Sequence, residues 1–418
     1  MSGGTLADAA ALLWPAPTRV HVGRGRELAD ARREPGSTTY ALLPSVDDAR
    51  LAVPLRPWAA ASAVARSQAA AGSTRAAVRN RSMALAFRVG LAGRLLPGRL
   101  VVTQAEGARD GLDSALADLL GQDVRLGIRL GPRRANRKPV LQVVSARGRL
   151  LAYAKLGTNP LTDRLVRAET AALLQLADDT RLGPVRVPQV LHSGGWQGHP
   201  LLVQAPLPVH RAADPGGARL VEAMVAVAGT GTGTPCALVD LPWWGRTAAA
   251  LEALPPGDVA GRLGAVRDRL AADAAGCALT PSAWHGDWNA GNCSVVPGAV
   301  LVWDWERYET GVPAGFDALH LSLQAAISAG VDPGEAACRV LADAARLTAP
   351  FGLPAQDAPV VAAAYLWGIG VRYAADDQDG AGAAVGRLGD WLLPVLESVP
   401  GAVRGPASAA AETKEHSG

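Results

Sequence analysis

The residues best suited to do chemistry lie between Trp284 and Glu306. The run Trp284-His285-Gly286-Asp287-Trp288-Asn289-Ala290-Gly291-Asn292 places a carboxylate and, five positions later, a carboxamide in one polar stretch. The apolar run Ala299-Val300-Leu301-Val302-Trp303 follows and ends in Asp304-Trp305-Glu306, so a second carboxylate stands at a strand end. Phosphoryl transfer asks little covalent chemistry of a protein: it needs Mg²⁺ bridging the phosphates and a carboxylate at the attacking hydroxyl. Asp287, Asn292 and Asp304 supply those parts. An isolated His-Gly-Asp would as readily cap a turn, but Asn292 and Asp304 beside it favour the chemical reading.

The pattern H-G-D-x-x-x-x-N followed by a D-x-E strand end resembles the aminoglycoside and choline kinase-like phosphotransferases, and the resemblance covers about residues 123–400. It implies an α+β, bilobal protein-kinase-like fold with ATP and Mg²⁺ as cofactors. It also implies Asp287 as catalytic base, Asn292 as a Mg²⁺ ligand at the catalytic loop, and Asp304 as the second metal ligand. His285 and Glu306 would support the site from behind, His285 as a structural hydrogen-bonding residue. Gly311-Val312-Pro313-Ala314-Gly315-Phe316-Asp317 resembles the family's G-x-P-x-x-D segment with one extra residue. Asp317 would then brace the catalytic loop, and a helix N-cap is an equally good account of it.

A catalytic loop needs a partner that holds the nucleotide. In Leu150-Leu151-Ala152-Tyr153-Ala154-Lys155-Leu156-Gly157 a lysine interrupts an apolar strand, and a buried ammonium needs an anion. Asn159-Pro160 reads as N-cap and first residue of a helix to Leu176, whose apolar stripe of Leu165, Ala172, Leu173 and Leu176 includes Glu169. Lys155 and Glu169 thus each call for an opposite charge, and pairing them would leave Lys155 to hold the α/β-phosphates. The phosphate-covering turn is expected at residues 131–138. It has only Gly131, so Arg134 or Arg137 would replace glycine backbone donors, unless the turn is an ordinary hairpin tip. The hinge would run through Gln204, Ala205 and Pro206, where backbone groups would meet the adenine.

These residues need two lobes to bring them together. Strand-like runs around one helix place a small antiparallel nucleotide-binding lobe at residues 121–206. Mostly helical sequence with one hairpin places the catalytic loop and acceptor site at 207–400. Residues 1–120, with strand-like runs Tyr40 to Leu43 and Arg50 to Leu55 and an amphipathic stretch Asp110 to Leu120, read as a separate mixed α/β, basic N-terminal unit. Residues 401–418 read as a disordered tail. Gly229 to Thr234 alternates Gly and Thr without a following G-K-[ST], so it reads as a linker, and Gly23-Arg24-Gly25 is a lone G-x-G.

Composition sets the outer limits. With 49% hydrophobic and 19% charged residues in 418, the chain has the material for several packed cores and is unlike a disordered protein. The four cysteines are dispersed, with no zinc spacing, and read as reduced thiols of a cytoplasmic protein. The N-terminus lacks the basic start of a secretory signal, and Arg88, Arg94 and Arg99 interrupt the most apolar stretch, Met83 to Val102. Between Asp48 and Glu106 there is no acidic residue but there are nine arginines. That segment is either a solvated face or a basic amphipathic contact with an anionic membrane or glycan precursor. No nucleic-acid signature accompanies it. The acceptor expected is a small-molecule hydroxyl, with a catalytically weak nucleotide-binding scaffold as the alternative.

Overall fold

The protein is described by a computed structural model covering residues 5–67, 82–105, 107–209, 217–231 and 233–399. Its largest element is a nine-stranded, wholly antiparallel sheet in the order β1-β4-β2-β3-β5-β6-β7-β10-β9. The strands are β1 (Arg19–Arg24), β2 (Ser37–Leu43), β3 (Leu51–Pro54), β4 (Gly98–Thr103), β5 (Val124–Leu130), β6 (Pro139–Ser145), β7 (Leu150–Leu156), β9 (Val190–Trp196) and β10 (His199–Gln204). The short β8 (Val185–Arg186) runs parallel to β13 (Ala299–Val302), which forms a hairpin with β12 (Cys293–Val296). A two-stranded ribbon pairs β11 (Pro281–Trp284) with β14 (Glu309–Pro313). Helices dominate after residue 216, so the molecule is α+β, with a β-rich lobe meeting a helical one.

The described strands of the first 120 residues extend the sheet formed by residues 124–204. Leu51 and Ala52 of β3 pair with Arg129 and Ile128 of β5, so the ladder runs unbroken across the expected boundary. The helix Trp58–Ser67 lies on the same sheet so closely that a Cβ on Gly127 of β5 would come within 2.4 Å of Val64. One apolar core, containing Leu13, Trp14, Leu100, Leu126, Leu141 and Val203, runs beneath both halves. Sequence reasoning missed this continuity because each strand alternates faces equally well whether its neighbour belongs to one unit or another.

The Pro160–Leu176 helix begins on Asn159, whose side chain accepts from Thr162 N at 2.9 Å, and it buries Leu165, Ala172, Leu173 and Leu176 as its pattern requires. The helical lobe packs around the Ala358–Ala375 helix, buried along most of its length among Trp243, Trp244 and Leu392. Arg99, one of the nine arginines in the acid-free segment, is not a solvated charge: it is buried and donates to the Leu96, Gly98 and Gly93 carbonyls. Arg75, Arg79, Arg81 and the tail after Pro400 lie outside the described residues. Among the described residues no helix is long and apolar enough to cross a membrane.

Candidate active site

Lys155 stands near the end of β7 with almost no exposure, and Glu169 faces it from the Pro160–Leu176 helix. Lys155 Nζ donates to Glu169 Oε1 at 2.6 Å and Oε2 at 2.7 Å, and to Asp304 Oδ1 at 2.7 Å. Burial works against the ammonium, but Asp304 and Glu169 overcome it and hold its pKa above the ordinary lysine value. Asp304 shifts the opposite way: burial would raise its carboxyl, and Lys155 and Lys138 bring it below the ordinary range. The backbone at Asp304 has φ of 72°, a conformation costly for a side-chain-bearing residue and one that recurs at functional sites. The lysine expected to find one anion has found two, one from each lobe.

The catalytic-loop candidates converge on the same cleft. Asp287 is half-exposed. Asn292 Nδ2 donates to its Oδ2 at 2.9 Å and to its carbonyl at 2.9 Å, and the Asn292 amide oxygen has no side-chain hydrogen-bond partner among the described residues. The other carboxylate oxygen, Oδ1, is 3.3 Å from His320 Nε2, and His320 Nδ1 is 2.9 Å from the Tyr365 hydroxyl. Burial, the largest single influence, would raise the Asp287 carboxyl, but the His320 hydrogen bond and charge together with the Arg372 charge outweigh it and the pKa is lowered. Asp287 is therefore ionised at neutral pH and held at both oxygens.

The loop itself is fastened from behind. Asp317, in the first turn of the Phe316–Ser328 helix, accepts from His285 N at 2.7 Å and Gly286 N at 3.1 Å. It braces the loop, and Gly315 is the residue at the N-cap. His285 is fully buried: Nδ1 accepts from Asp287 N at 3.2 Å, and Nε2 faces the Trp303 carbonyl at 3.1 Å. Burial pushes its pKa down to about 4, so it is neutral and structural. Gly286 has φ of 81°, and a Cβ there would lie 2.2 Å from the Arg307 carbonyl, so the tight turn into Asp287 requires glycine.

A cavity of about 430 Å³ joins these groups to the upper sheet, reaching Lys155, Asp287, Asn292, Asp304, Gln204 and Ala205. Glu306 closes one side by pairing with Lys138, both nearly fully buried, and Asn136 Nδ2 donates to Glu306 at 3.4 Å. The residue 131–138 turn is thereby fastened to the helical lobe, and Ala135 N adds a 3.4 Å bond to Gln378. Arg134 and Arg137 both line the cavity, and Arg137 Nε is buried without a partner. Gln204 Oε1 is likewise buried and unpartnered. Ala205 does not offer its N–H to the cavity, because it donates to the Gln189 carbonyl at 2.8 Å.

These features fit a nucleotide and a divalent cation. Unpaired guanidinium and amide groups await hydrogen bonds, and the open Asn292 oxygen and Asp304 carboxylate are hard oxygen donors of the kind Mg²⁺ takes. Sequence reasoning missed Lys138, His320, Tyr365 and Arg372. Lys138 carried the same signal as Lys155, a rare lysine at a strand edge; the others are ordinary residues of apolar helices until folded.

No family model and no curated protein matches the sequence. The fold is similar to solved small-molecule kinases at low identity. A thermostable mutant of the aminoglycoside phosphotransferase APH(4)-Ia, in a ternary complex with ADP and hygromycin B, is 15% identical over 68% of this chain and 96% of that one, with a TM-score of 0.43. A choline/ethanolamine kinase family protein from Mesorhizobium loti is 18% identical over 67% and 90%, with a TM-score of 0.39. An amicoumacin kinase in complex with AMP-PNP, Ca²⁺ and Ami is 11% identical over 66% and 89%, with a TM-score of 0.37. Likeness at this level carries no argument about activity, which rests on the cleft itself.

Proposed function

We propose that the chain is an ATP-dependent, Mg²⁺-requiring phosphotransferase that moves the γ-phosphate to a hydroxyl of a small molecule of the sugar, amino sugar or glycan type. The observation that carries this reading is the convergence of Lys155, paired with Glu169 and Asp304, and of Asp287, held by Asn292, on one cleft. Lys155, with Arg134 and Arg137, would bind the phosphates; Asn292 and Asp304 would hold Mg²⁺, which when bound neutralises charge on the phosphates. Asp287 would orient the acceptor hydroxyl and take its proton as the oxygen bonds to the γ-phosphorus and the bond to the bridging oxygen breaks, releasing ADP. His320 and Asn292 restrict Asp287 to one orientation, which favours a near-attack geometry.

The test is ATP consumption by the full-length protein against a panel of neutral, cationic and anionic hydroxyl compounds. Acceptor-dependent ADP release, with a phosphorylated product, is expected. ATP that binds and is never transferred would instead support a nucleotide-binding scaffold. We place the protein in the cytoplasm, a reading supported by four cysteines that remain free thiols.

A peripheral contact with anionic membrane or a glycan precursor is supported by the exposed surface of the helical segment 85–95 and the start of the Trp58–Ser67 helix. Leu85, Val89, Leu91 and Leu95 are exposed beside Arg88 and Arg94, and Trp58 is exposed where it abuts Gly90. Exposed apolar side chains interleaved with arginines that contact no carboxylate among the described residues suit an interfacial lipid layer.

A further inference from the structure

A second cavity, of about 230 Å³, opens in the helical lobe, and none of the residues lining it lines the nucleotide cleft. Its aromatic wall is built from Trp243, Trp284, Phe316 and Tyr365; Trp284 and Phe316 meet edge to face with ring centres 5.3 Å apart. Three arginines and two carboxylates also line it, and the carboxylates are already engaged. Glu309 accepts from Arg246 Nε at 2.6 Å, and buried Asp376 pairs with Arg307. Arg372 is the cation without a carboxylate in contact, and its charge acts at longer range on Asp287 and Asp317. Among the described residues no carboxylate pairs with it; its Nη1 donates to the Gly286 carbonyl at 2.7 Å, and its guanidinium lies 5.7 Å from the centres of the Trp284 and Tyr373 rings.

The cavity is coupled to the reacting carboxylate through two short links. Gly286, which Arg372 holds, directly precedes Asp287. Tyr365 in the cavity wall bonds to His320, which in turn bonds to Asp287. A molecule seated against this wall therefore lies beside the loop that carries Asp287.

We propose that this cavity binds the acceptor, and that the acceptor is an anion: a hydroxyl compound with a ring or apolar face against the aromatic wall and a carboxylate or phosphate in the fork of Arg372. This rests on the phosphotransferase reading above. A guanidinium presents parallel donors that match either anion bidentately. A cationic amine would meet an unpaired positive charge, and the carboxylates that would attract it are taken by Arg246 and Arg307. Asp376, which in sequence belongs to an acidic cluster with Asp377 and Asp379, is thus removed as an amine receptor by its ion pair.

The experiment titrates full-length protein, saturated with AMP-PNP and Mg²⁺ so that the nucleotide cleft is covered, with benzoate, phenyl phosphate, benzamide and benzylamine, followed by NMR of the small molecule. At least one anion is expected to bind about tenfold or more tightly than benzamide and benzylamine, and Arg372→Gln is expected to abolish that preference. Whichever anion is preferred decides between carboxylate and phosphate. Should Arg372→Gln not fold, Arg246→Gln at the exposed rim is expected to weaken the anion about threefold. Anions that bind no better than benzylamine, no binding by any of the four, or an unchanged preference in the folded variant would overturn the proposal. Failure of AMP-PNP to bind would instead overturn the phosphotransferase reading, while the same titration without nucleotide, compared between wild type and variant, still decides the cavity.

Discussion

The two lysines of the cleft and Arg372 of the helical-lobe cavity hold positive charge in opposite ways. In the cleft, both lysines are buried and answered by carboxylates: Lys155 by Glu169 and Asp304, Lys138 by Glu306. In the cavity, Arg372 has no carboxylate in contact among the described residues, and acts on Asp287 and Asp317 only from a distance. A buried ion pair fixes geometry, because removing one partner leaves a desolvated charge that costs about 3–5 kcal/mol. An unpaired arginine beside aromatic rings, open to a cavity, keeps its charge for something outside the chain. The first arrangement suits a site that must hold one geometry, as the proposed nucleotide site would, the second a site that chooses its ligand.

The difference between the two regions can be broken most sharply at Asp287, which lines the cleft and directly follows the Gly286 that Arg372 holds. Asp287→Asn is expected to lower kcat by about three orders of magnitude while AMP-PNP binding persists, because the amide keeps the shape and loses the base. Activity within about tenfold of wild type, with an acceptor in hand, would remove Asp287 from the chemistry.

On the cleft side, Asp304→Ala should abolish the tightening of ATP binding by Mg²⁺ and leave the helical-lobe cavity unaffected. Calorimetric titrations that keep a Mg²⁺ effect in this variant would dissociate Asp304 from the metal.

The loop between the two regions offers a pH test. The folded pKa of His285, about 4, lies below the unfolded value of about 6.5, so its contribution to stability is present above pH 6.5 and lost as pH falls through 4. The loss corresponds to about 3 kcal/mol. Denaturant melts of wild type and His285→Gln from neutral pH to pH about 4 should diverge by that amount, wild type falling more steeply. Parallel pH profiles would show that His285 titrates normally in the fold.

The smallest effect separates the cavity from the exposed surface around Arg88 and Arg94. Leu95→Asp, at a 69% exposed position, should weaken binding to anionic vesicles about tenfold and shift stability by less than about 0.5 kcal/mol. It should not touch benzoate binding. Vesicle binding that is absent in wild type, or unchanged in the variant, would leave the Leu85–Leu95 surface without a lipid role.

Much of the cleft was legible because charges placed in apolar patterns announce their need for partners. Lys155 within a strand and Glu169 within a helical stripe had to be neutralised once those elements were buried, and Asn159-Pro160 fixed where the helix began. The spacing from Asp287 to Asn292 likewise sufficed for one loop to fold a carboxamide back onto its own aspartate. These are local or nearly local constraints, and periodicity and propensity determine them before any tertiary contact exists. The tertiary structure alone decided what periodicity cannot encode: that β3 joins β5 so the first 120 residues share one sheet with the nucleotide lobe, that His320 and Tyr365 reach Asp287 from separate helices, and that Asp376 spends its charge on Arg307 while Arg372 is left open. Such outcomes depend on which faces meet across long stretches of chain, and a side chain's partner there is set by packing geometry, not by its own neighbours in sequence.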